Sequence, residues 1–371
     1  MEKSKLFSEI TIGNLQLKNR IVVPPMCQYS ADNGLASDWH LVHYSGLAFS
    51  NPGLLIFEAA AISPEGRISY ADLGLWDEDT ANALKRITRF IKQHCNTPLA
   101  VQISHAGRKA STEVPWKGLQ SLPIGHPGGW QTYAPSAIAQ STGGTVPLAL
   151  SEDEITSIIG QFATSAKFAE KAGFDAIELH AAHGYLIHQF LSPVTNHRHD
   201  TFGGCLENRM RFGLEVVKAV KKAVSKTTPV GVRISAVDWV ENGWNIEESI
   251  CFAKELEALG IAYIHVSSGG IDNGLQQLPP LTTGYQLPLA EAIRKAVSIP
   301  VIGVGLITNP LDAESALQAE KADLIAVGRG YLFNPHWSWL AAGILNSQAD
   351  APSPYMRSAP REFKDIFQNN K

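Results

Sequence analysis

The sequence predicts an α/β fold, a single (β/α)8 TIM barrel with a long loop after strand 3. Three observations carry that prediction. Short runs of Val, Ile, Leu and Ala recur without polar alternation, as in parallel strands covered on both faces. Segments of helical period separate them, so the βα alternation repeats eight times. No Gly-x-Gly-x-x-Gly opens a helix, and the nearest match, Gly303-Val304-Gly305, follows the seventh strand. That placement argues against the competing doubly wound sheet.

The strands read as Arg20–Met26, Leu54–Glu58, Pro98–Ile103, Asp175–His180, Pro229–Ile234, Ala262–Val266, Pro300–Val304 and Ala322–Gly328. Ser151-Glu152-Asp153-Glu154 is a capping signature, and the helix it opens carries Ile155, Ile158, Ile159, Phe162, Ala166 and Ala169 on one stripe. Further helices fit Thr80–Gln93, Leu206–Ala223, Ile246–Ala258, Pro288–Ala296, Pro310–Gln318 and Pro335–Leu345. After the third strand, residues 109–150 have no helical period and are rich in Gly, Pro and Ser. A loop of that length in a compact domain reads as a lid or binding loop. No shift in composition marks a boundary, so 1–371 reads as one domain with a C-terminal tail over 347–371.

Composition narrows the function. With 371 residues, 44% hydrophobic and 18% charged, the chain is globular rather than disordered. Its 31 basic and 35 acidic residues leave net charge −4, without the basic footprint of a nucleic-acid binder. Cys27, Cys95, Cys205 and Cys251 are scattered with no Cys-x-x-Cys, which excludes a disulfide scaffold, a zinc knuckle and an iron–sulfur cluster. Met1 to Lys5 lead into no apolar secretory segment, and no apolar run reaches the roughly 18 residues of a membrane span. The expectation is a cytoplasmic protein with no membrane partner.

In such a barrel the chemistry sits at the carboxyl ends of the strands. Those ends carry Met26-Cys27-Gln28-Tyr29, Glu58-Ala59, Gln102 with His105-Ala-Gly-Arg108, His180-Ala-Ala-His183-Gly-Tyr185, Arg233, Gly303-Val304-Gly305 and Gly328-Arg329. Gly303, Gly305 and Gly328 permit close backbone approach to a phosphate, which Arg329 can pair; the alternative is that they make tight βα turns. Three readings stand for His180 and His183: ligands of a catalytic metal with Glu58 as third ligand, neutral donors to a carbonyl oxygen, or structural histidines. The metal reading would make the chain a metal-dependent hydrolase. Tyr185 favours the carbonyl reading, because a phenol is a suitable general acid for a carbanion. Gln102 lies mid-strand between Val101 and Ile103, and its amide needs partners that a flat heterocycle would supply. Arg233 suits a ring that becomes anionic, or a salt bridge to Glu58.

Several blocks occur together and in order: Pro25-Met26-Cys27, Gln102 with His105-Ala-Gly-Arg108-Lys109, and His180-Ala-Ala-His183-Gly-Tyr185-Leu. Phe190-Leu-Ser-Pro-Val-Thr-Asn196-His-Arg198, Gly203-Gly204, Glu207-Asn208-Arg209 and Gly328-Arg329 complete the set. Over nearly the whole chain this resembles the Old Yellow Enzyme family of FMN-dependent ene-reductases. The Cys after Pro-Met is similar to the subclass of bacterial xenobiotic reductases and thermophilic-like members.

The resemblance implies FMN across the barrel mouth, with Pro25, Met26, Cys27 and Ala59 along the ring and Gln102 on its pyrimidine edge. It implies Arg233 near the reduced ring's negative charge, and the phosphate near Gly303, Gly305, Gly328 and Arg329. His180 and His183 would bind the substrate oxygen, Tyr185 would supply the proton, Tyr29 would line the substrate face, and Cys27 would tune the flavin. The implied reaction is ping-pong: NADPH or NADH reduces the flavin, which then reduces the C=C bond of an α,β-unsaturated carbonyl or a nitro compound. Arg357, in Pro354-Tyr355-Met356-Arg357, resembles a residue that relatives send into a neighbouring subunit's site, which implies a homodimer or higher homo-oligomer.

Overall fold

The computed structural model describes residues 4–271, 279 and 281–367. Eight parallel strands close into a barrel: β1 (Ile21–Val23), β2 (Leu54–Ala61), β3 (Leu99–Ser104), β4 (Ala176–Ala181), β5 (Val230–Ser235), β6 (Tyr263–Ser267), β7 (Val301–Gly303) and β8 (Leu324–Ala326). Closure comes where β8 pairs with β1, Ile325 beside Ile21. The helices are α1 (Asp38–Ala48), α2 (Glu78–His94), α3 (Glu152–Lys171), α4 (Leu206–Ala223), α5 (Ile246–Ala258), α6 (Leu287–Ala296), α7 (Pro310–Gln318) and α8 (Trp337–Ile344).

Local chemistry accounts for the helix starts. Asp77 accepts from the Thr80 N–H ahead of α2, Ser151 and Glu154 form the expected capping box of α3, and Asn245 accepts from Glu248 ahead of α5. Asn309 caps α7, whose first residue is Pro310, where a missing N–H costs nothing. The helix α1 is not among those that periodicity predicts. Trp39 and Val42 are exposed while His40 and Tyr44 are buried, so its apolar residues form no single stripe.

The strands differ from expectation mainly at their ends. Pairing begins after Pro98, Pro229 and Pro300, none of which has an N–H to give a ladder. Strand β1 stops at Val23, short of the expected Met26, because Pro24 and Pro25 follow; β7 and β8 are likewise three residues each. Strand β2 instead runs three residues beyond Glu58, through a bulge between Phe57 and Ala59. The bulge breaks the alternation of faces, so Phe57 and Glu58 both meet Tyr44 of α1.

Two packed regions position the site. One lies between strands and helices and includes Leu55, Phe57, Phe162, Phe190, Phe212 and Ile325. The other fills the barrel's amino end with Val22, Leu54, Ile56, Tyr263, Ile302 and Leu324. A hairpin, Ile10–Ile12 with Leu15–Leu17, seats fully buried Ile12 and Leu17 in that same region and so plugs the bottom. Its strands of three residues are too short for a periodic signal. The polar groups are left to the carboxyl end.

Gly231 of β5 lies directly across from Tyr263 of β6, whose ring stands 2.2 Å from where a Cβ would be. Gly231→Ala is expected to destabilise the fold by about 1–3 kcal/mol through overpacking. The check is a lowered urea midpoint at unchanged slope; an unchanged midpoint would show that the ring moves aside freely.

Candidate active site

Beyond Val23 the chain Pro25–Tyr29 crosses the barrel mouth, half-buried, and turns through a left-handed Tyr29 (φ 49°). Glu58 anchors it. One carboxylate oxygen accepts the Gln28 N–H at 2.9 Å, the other the Tyr44 hydroxyl at 2.8 Å, and His40 Nε2 stands 3.5 Å away. Facing α1, Glu58 is neither the third metal ligand nor the partner of Arg233 that the sequence allowed. Among the described residues no group of three His, Cys, Asp or Glu is placed to hold a metal ion. Burial pushes the Glu58 carboxyl up to about 8.

Inside the barrel, Gln102 of β3 stands in register with Glu178 of β4, and Arg233 of β5 lies between His180 of β4 and His265 of β6. Gln102 Nε2 donates to Glu178 Oε1 at 2.8 Å, and His265 Nδ1 lies 3.0 Å from Glu178 Oε2. One N–H of the amide is thus taken by protein rather than by a heterocycle as the sequence suggested, while its oxygen has no hydrogen bond among the described residues. Arg233 is buried, and its Nε has no hydrogen-bond partner among the described residues. Burial lowers its pKa, and Glu178 opposes that shift.

The loop after β4 brings His180, His183 and Tyr185 together. Their rings meet edge to face, His180 at 5.1 Å from His183 and 4.6 Å from Tyr185 between centroids. The loop turns through left-handed His183 (φ 56°) and Gly184 (φ 72°), conformations that are unfavourable for a side chain such as histidine. Ser235 Oγ accepts the His183 N–H, His188 Nδ1 accepts the Gly184 N–H, and Gln189 donates to the Gly184 carbonyl. A Cβ at 184 would stand 2.2 Å from the Gly270 oxygen, so only glycine fits. Burial, then the charge of Arg233, holds both imidazoles well below the usual histidine pKa, so they are neutral. Burial holds the Tyr185 phenol protonated, well above 10.

At the other strand ends the residues divide. Gly305 (φ 139°) needs its glycine conformation, whereas a Cβ on Gly303 would meet Leu287 and Ala322, so packing accounts for that glycine. Gly328 lies against Met26, with 3.5 Å from its Cβ position to the sulfur, and precedes exposed Arg329 at the start of a short helix, Arg329–Phe333. Ala59 is buried near the end of β2. Arg357 is exposed on the turn Ser353–Ser358, whose Tyr355 packs on Phe49, His336 and Trp339.

Residues 109–150 contribute to the mouth. Cys27 and Tyr185 pack with Trp130 around Ile68, Ala106 and Ala110. Trp116 meets Tyr29 edge to face at 6.1 Å. Lys109 Nζ bonds the His183 and Gly270 carbonyls and stands 5.4 Å from the Tyr185 ring; burial lowers its pKa to about 8.

The comparisons with known proteins agree on a family. The profile of the NADH:flavin oxidoreductase / NADH oxidase family matches residues 5–347. The NADPH dehydrogenase of Listeria monocytogenes is 43% identical over 96% of this chain and 99% of its own. That of Clostridium acetobutylicum is 42% identical over 95% and 99%. The chain belongs to this flavin oxidoreductase family.

Among solved structures, morphinone reductase aligns with a TM-score of 0.75 at 28% identity, over 100% of this chain and 98% of that one. The same enzyme solved in complex with tetrahydroNAD aligns with a TM-score of 0.73. A 2-naphthoyl-CoA reductase aligns with 0.80 at 26% identity, but this chain spans about half (51%) of that longer protein. The family is the Old Yellow Enzyme family of the sequence resemblance, and the hydrolase alternative receives no support.

In this flavin oxidoreductase, sequence reasoning missed Glu178, His265 and Ser267. Glu178 had a signal, a carboxylate inside an apolar strand; Ser267 stands at the end of β6, the one strand end that offered no recognisable motif.

Glu58 supplies a pH test. With its folded pKa near 8 against 4.5 for the free group, the folded state keeps a proton that the unfolded state has lost between those values. Stability therefore falls as pH rises from 4.5 toward 8, at up to about 1.4 kcal/mol per unit. Glu58→Gln is expected to flatten that slope in urea unfolding; parallel slopes in both proteins would rule out a proton on Glu58.

Proposed function

We propose that this flavin oxidoreductase is an FMN-dependent ene-reductase that uses NADPH or NADH to reduce the C=C bond of α,β-unsaturated carbonyl compounds, and nitro compounds as well. One observation carries the reading. The outward nitrogens of two neutral imidazoles, a protonated phenol, the Gln102 oxygen and the Arg233 guanidinium have no hydrogen bond among the described residues, and all belong to one barrel mouth.

The residues present fit FMN. Gln102, oriented by Glu178, offers an acceptor to a ring N–H, and Arg233, with a buried nitrogen unpaired, offers positive charge to a ring that becomes anionic. Pro25, Met26, Cys27 and Ala59 would line the ring. Backbone at Gly303, Gly305 and Gly328, with Arg329, would hold the phosphate. When bound, FMN supplies the two-electron relay between the nicotinamide and the alkene.

The chain's own residues prepare the alkene. His180 and His183 donate to the carbonyl oxygen and draw charge onto it, which makes the β-carbon electrophilic. Tyr185, held protonated by burial, gives its proton to the α-carbon. Tyr29 and Trp116 wall the approach, and residues 109–150 serve as the lid. Cys27, packed with Tyr185 and held as a thiol by burial, supports the cysteine-bearing subclass. Exposed Arg357, together with the exposed apolar side chains Trp39, Val42, Phe333 and Leu340, supports a homo-oligomer in which Arg357 reaches a neighbour. Among the described residues no helix is long and apolar enough to cross a membrane. We place the single-domain enzyme in the cytoplasm.

The purified protein is expected to be yellow, and NADPH without oxygen should bleach it. A colourless preparation that FMN cannot reconstitute would sink the proposal. Tyr185→Phe should slow reoxidation by an enone by about 10²–10⁴-fold while flavin reduction by NADPH changes little; equal slowing of both steps would remove Tyr185 as proton donor. Cys27→Ala should shift the flavin potential with activity retained, and an unmoved potential would leave Cys27 a packing residue.

A further inference from the structure

The two imidazoles present different nitrogens. His180 Nδ1 accepts the Ala182 N–H at 3.2 Å, so its proton resides on Nε2, which is not enclosed and makes no hydrogen bond among the described residues. For His183 the arrangement is reversed. Its Nε2 lies 2.7 Å from Ser267 Oγ, while Nδ1 is the nitrogen left open. A neutral imidazole has one donor and one acceptor, so whichever partner Ser267 presents decides what His183 shows to a substrate.

Ser267 has one proton and two acceptors in reach, His183 Nε2 at 2.7 Å and Gln286 Oε1 at 3.3 Å. The first is a full-strength distance and the second is long for a hydroxyl donor. Gln286 Oε1 already receives Ser268 Oγ at 2.7 Å, and its Nε2 is directed to the Val304 carbonyl, which keeps the amide oxygen toward the serines. Giving the Ser267 proton to the nearer acceptor, His183 Nε2, leaves Gln286 Oε1 with the Ser268 bond it already receives; giving it to Gln286 would instead require His183 to donate from Nε2. Ser267 is buried at the end of β6, and the His183 backbone is pinned by Ser235, so ring and hydroxyl keep their geometry.

We propose that Ser267 is a positioning residue that fixes His183 as the tautomer protonated on Nδ1, so that its ring donates, rather than accepts, at the substrate oxygen. The proposal rests on the ene-reductase reading only for its consequence in turnover. Without the hydroxyl, the ring is free to place its proton on Nε2 and turn a lone pair toward the carbonyl, which repels it. A substrate whose contacting atom is a hydroxyl or amine proton would be favoured instead.

The test begins without substrate. Nitrogen NMR of histidine-labelled protein, with the His183 signals assigned by their loss in His183→Asn, is expected to show a protonated Nδ1 and a bare Nε2. Ser267→Ala should convert His183 to a mixture or to the Nε2–H form, and Ser267→Thr, which keeps the hydroxyl, should restore the wild-type pattern. With 2-cyclohexen-1-one as probe, Ser267→Ala should slow flavin reoxidation about tenfold, less than full loss of an oxyanion donor, and Ser267→Thr should recover most of it. A wild-type His183 protonated on Nε2, or a tautomer that Ser267→Ala leaves unchanged, overturns the proposal. Failure of the wild-type protein to reduce the probe at all, with the NMR pattern as expected, would count against the ene-reductase reading alone.

Discussion

The left-handed turn through His183 and Gly184 is the constraint on which the reactive face depends. A histidine with positive φ costs about 1–2 kcal/mol relative to its ordinary backbone, and it persists because the surroundings leave no alternative. Ser235 takes its N–H, His188 and Gln189 hold both polar groups of Gly184, and the Gly270 carbonyl closes the space behind. Relaxed to an extended path, the chain would carry His183 and Tyr185 apart. In place, three rings converge on one pocket, and the same Gln189 bonds the Ala106 carbonyl and the Arg108 N–H, which ties the loop after β3 to the loop after β4.

Below that turn lies a buried polar layer whose charges are matched across strands. Glu178 serves Gln102 and His265 together, and its charge partly offsets that of Arg233, whose guanidinium has no hydrogen bond among the described residues. The hairpin plug fills the amino end with Ile12 and Leu17, so this layer is open only toward the carboxyl side. Burial then acts in one direction on every group at the mouth: imidazoles are kept neutral and the phenol and thiol are kept protonated. Neutral imidazoles are suited to donating hydrogen bonds, and a phenol held protonated is suited to keeping a proton in reserve.

Much of this was legible in the sequence because it was written in local pattern. Continuous apolar runs identify strands buried on both faces, and α4, α5 and α7 begin and end where their periods and caps say. The helix α1 escaped because Trp39 and Val42 face outward and blur its stripe, and the plug hairpin because three residues carry no period. Glu58 was misjudged for a different reason. Its place at the expected carboxyl end of β2 put it in the mouth, but the strand continues to Ala61, and a bulge, which is a property of the pairing with β3, turns Glu58 to Tyr44.

By itself, then, the sequence determined the barrel, its order of strands and helices, and which residue types stand at the carboxyl ends, since these follow from spacing along one chain. Pairings across the barrel were decided only in three dimensions. Whether Gln102 satisfies its amide on Glu178, whether Arg233 has a partner, and which nitrogen His183 turns to Ser267 depend on side chains from strands up to 84 positions apart. A hydrogen bond needs two groups within about 3 Å at a defined angle. Chain spacing carries no such distance; closure of the sheet creates it.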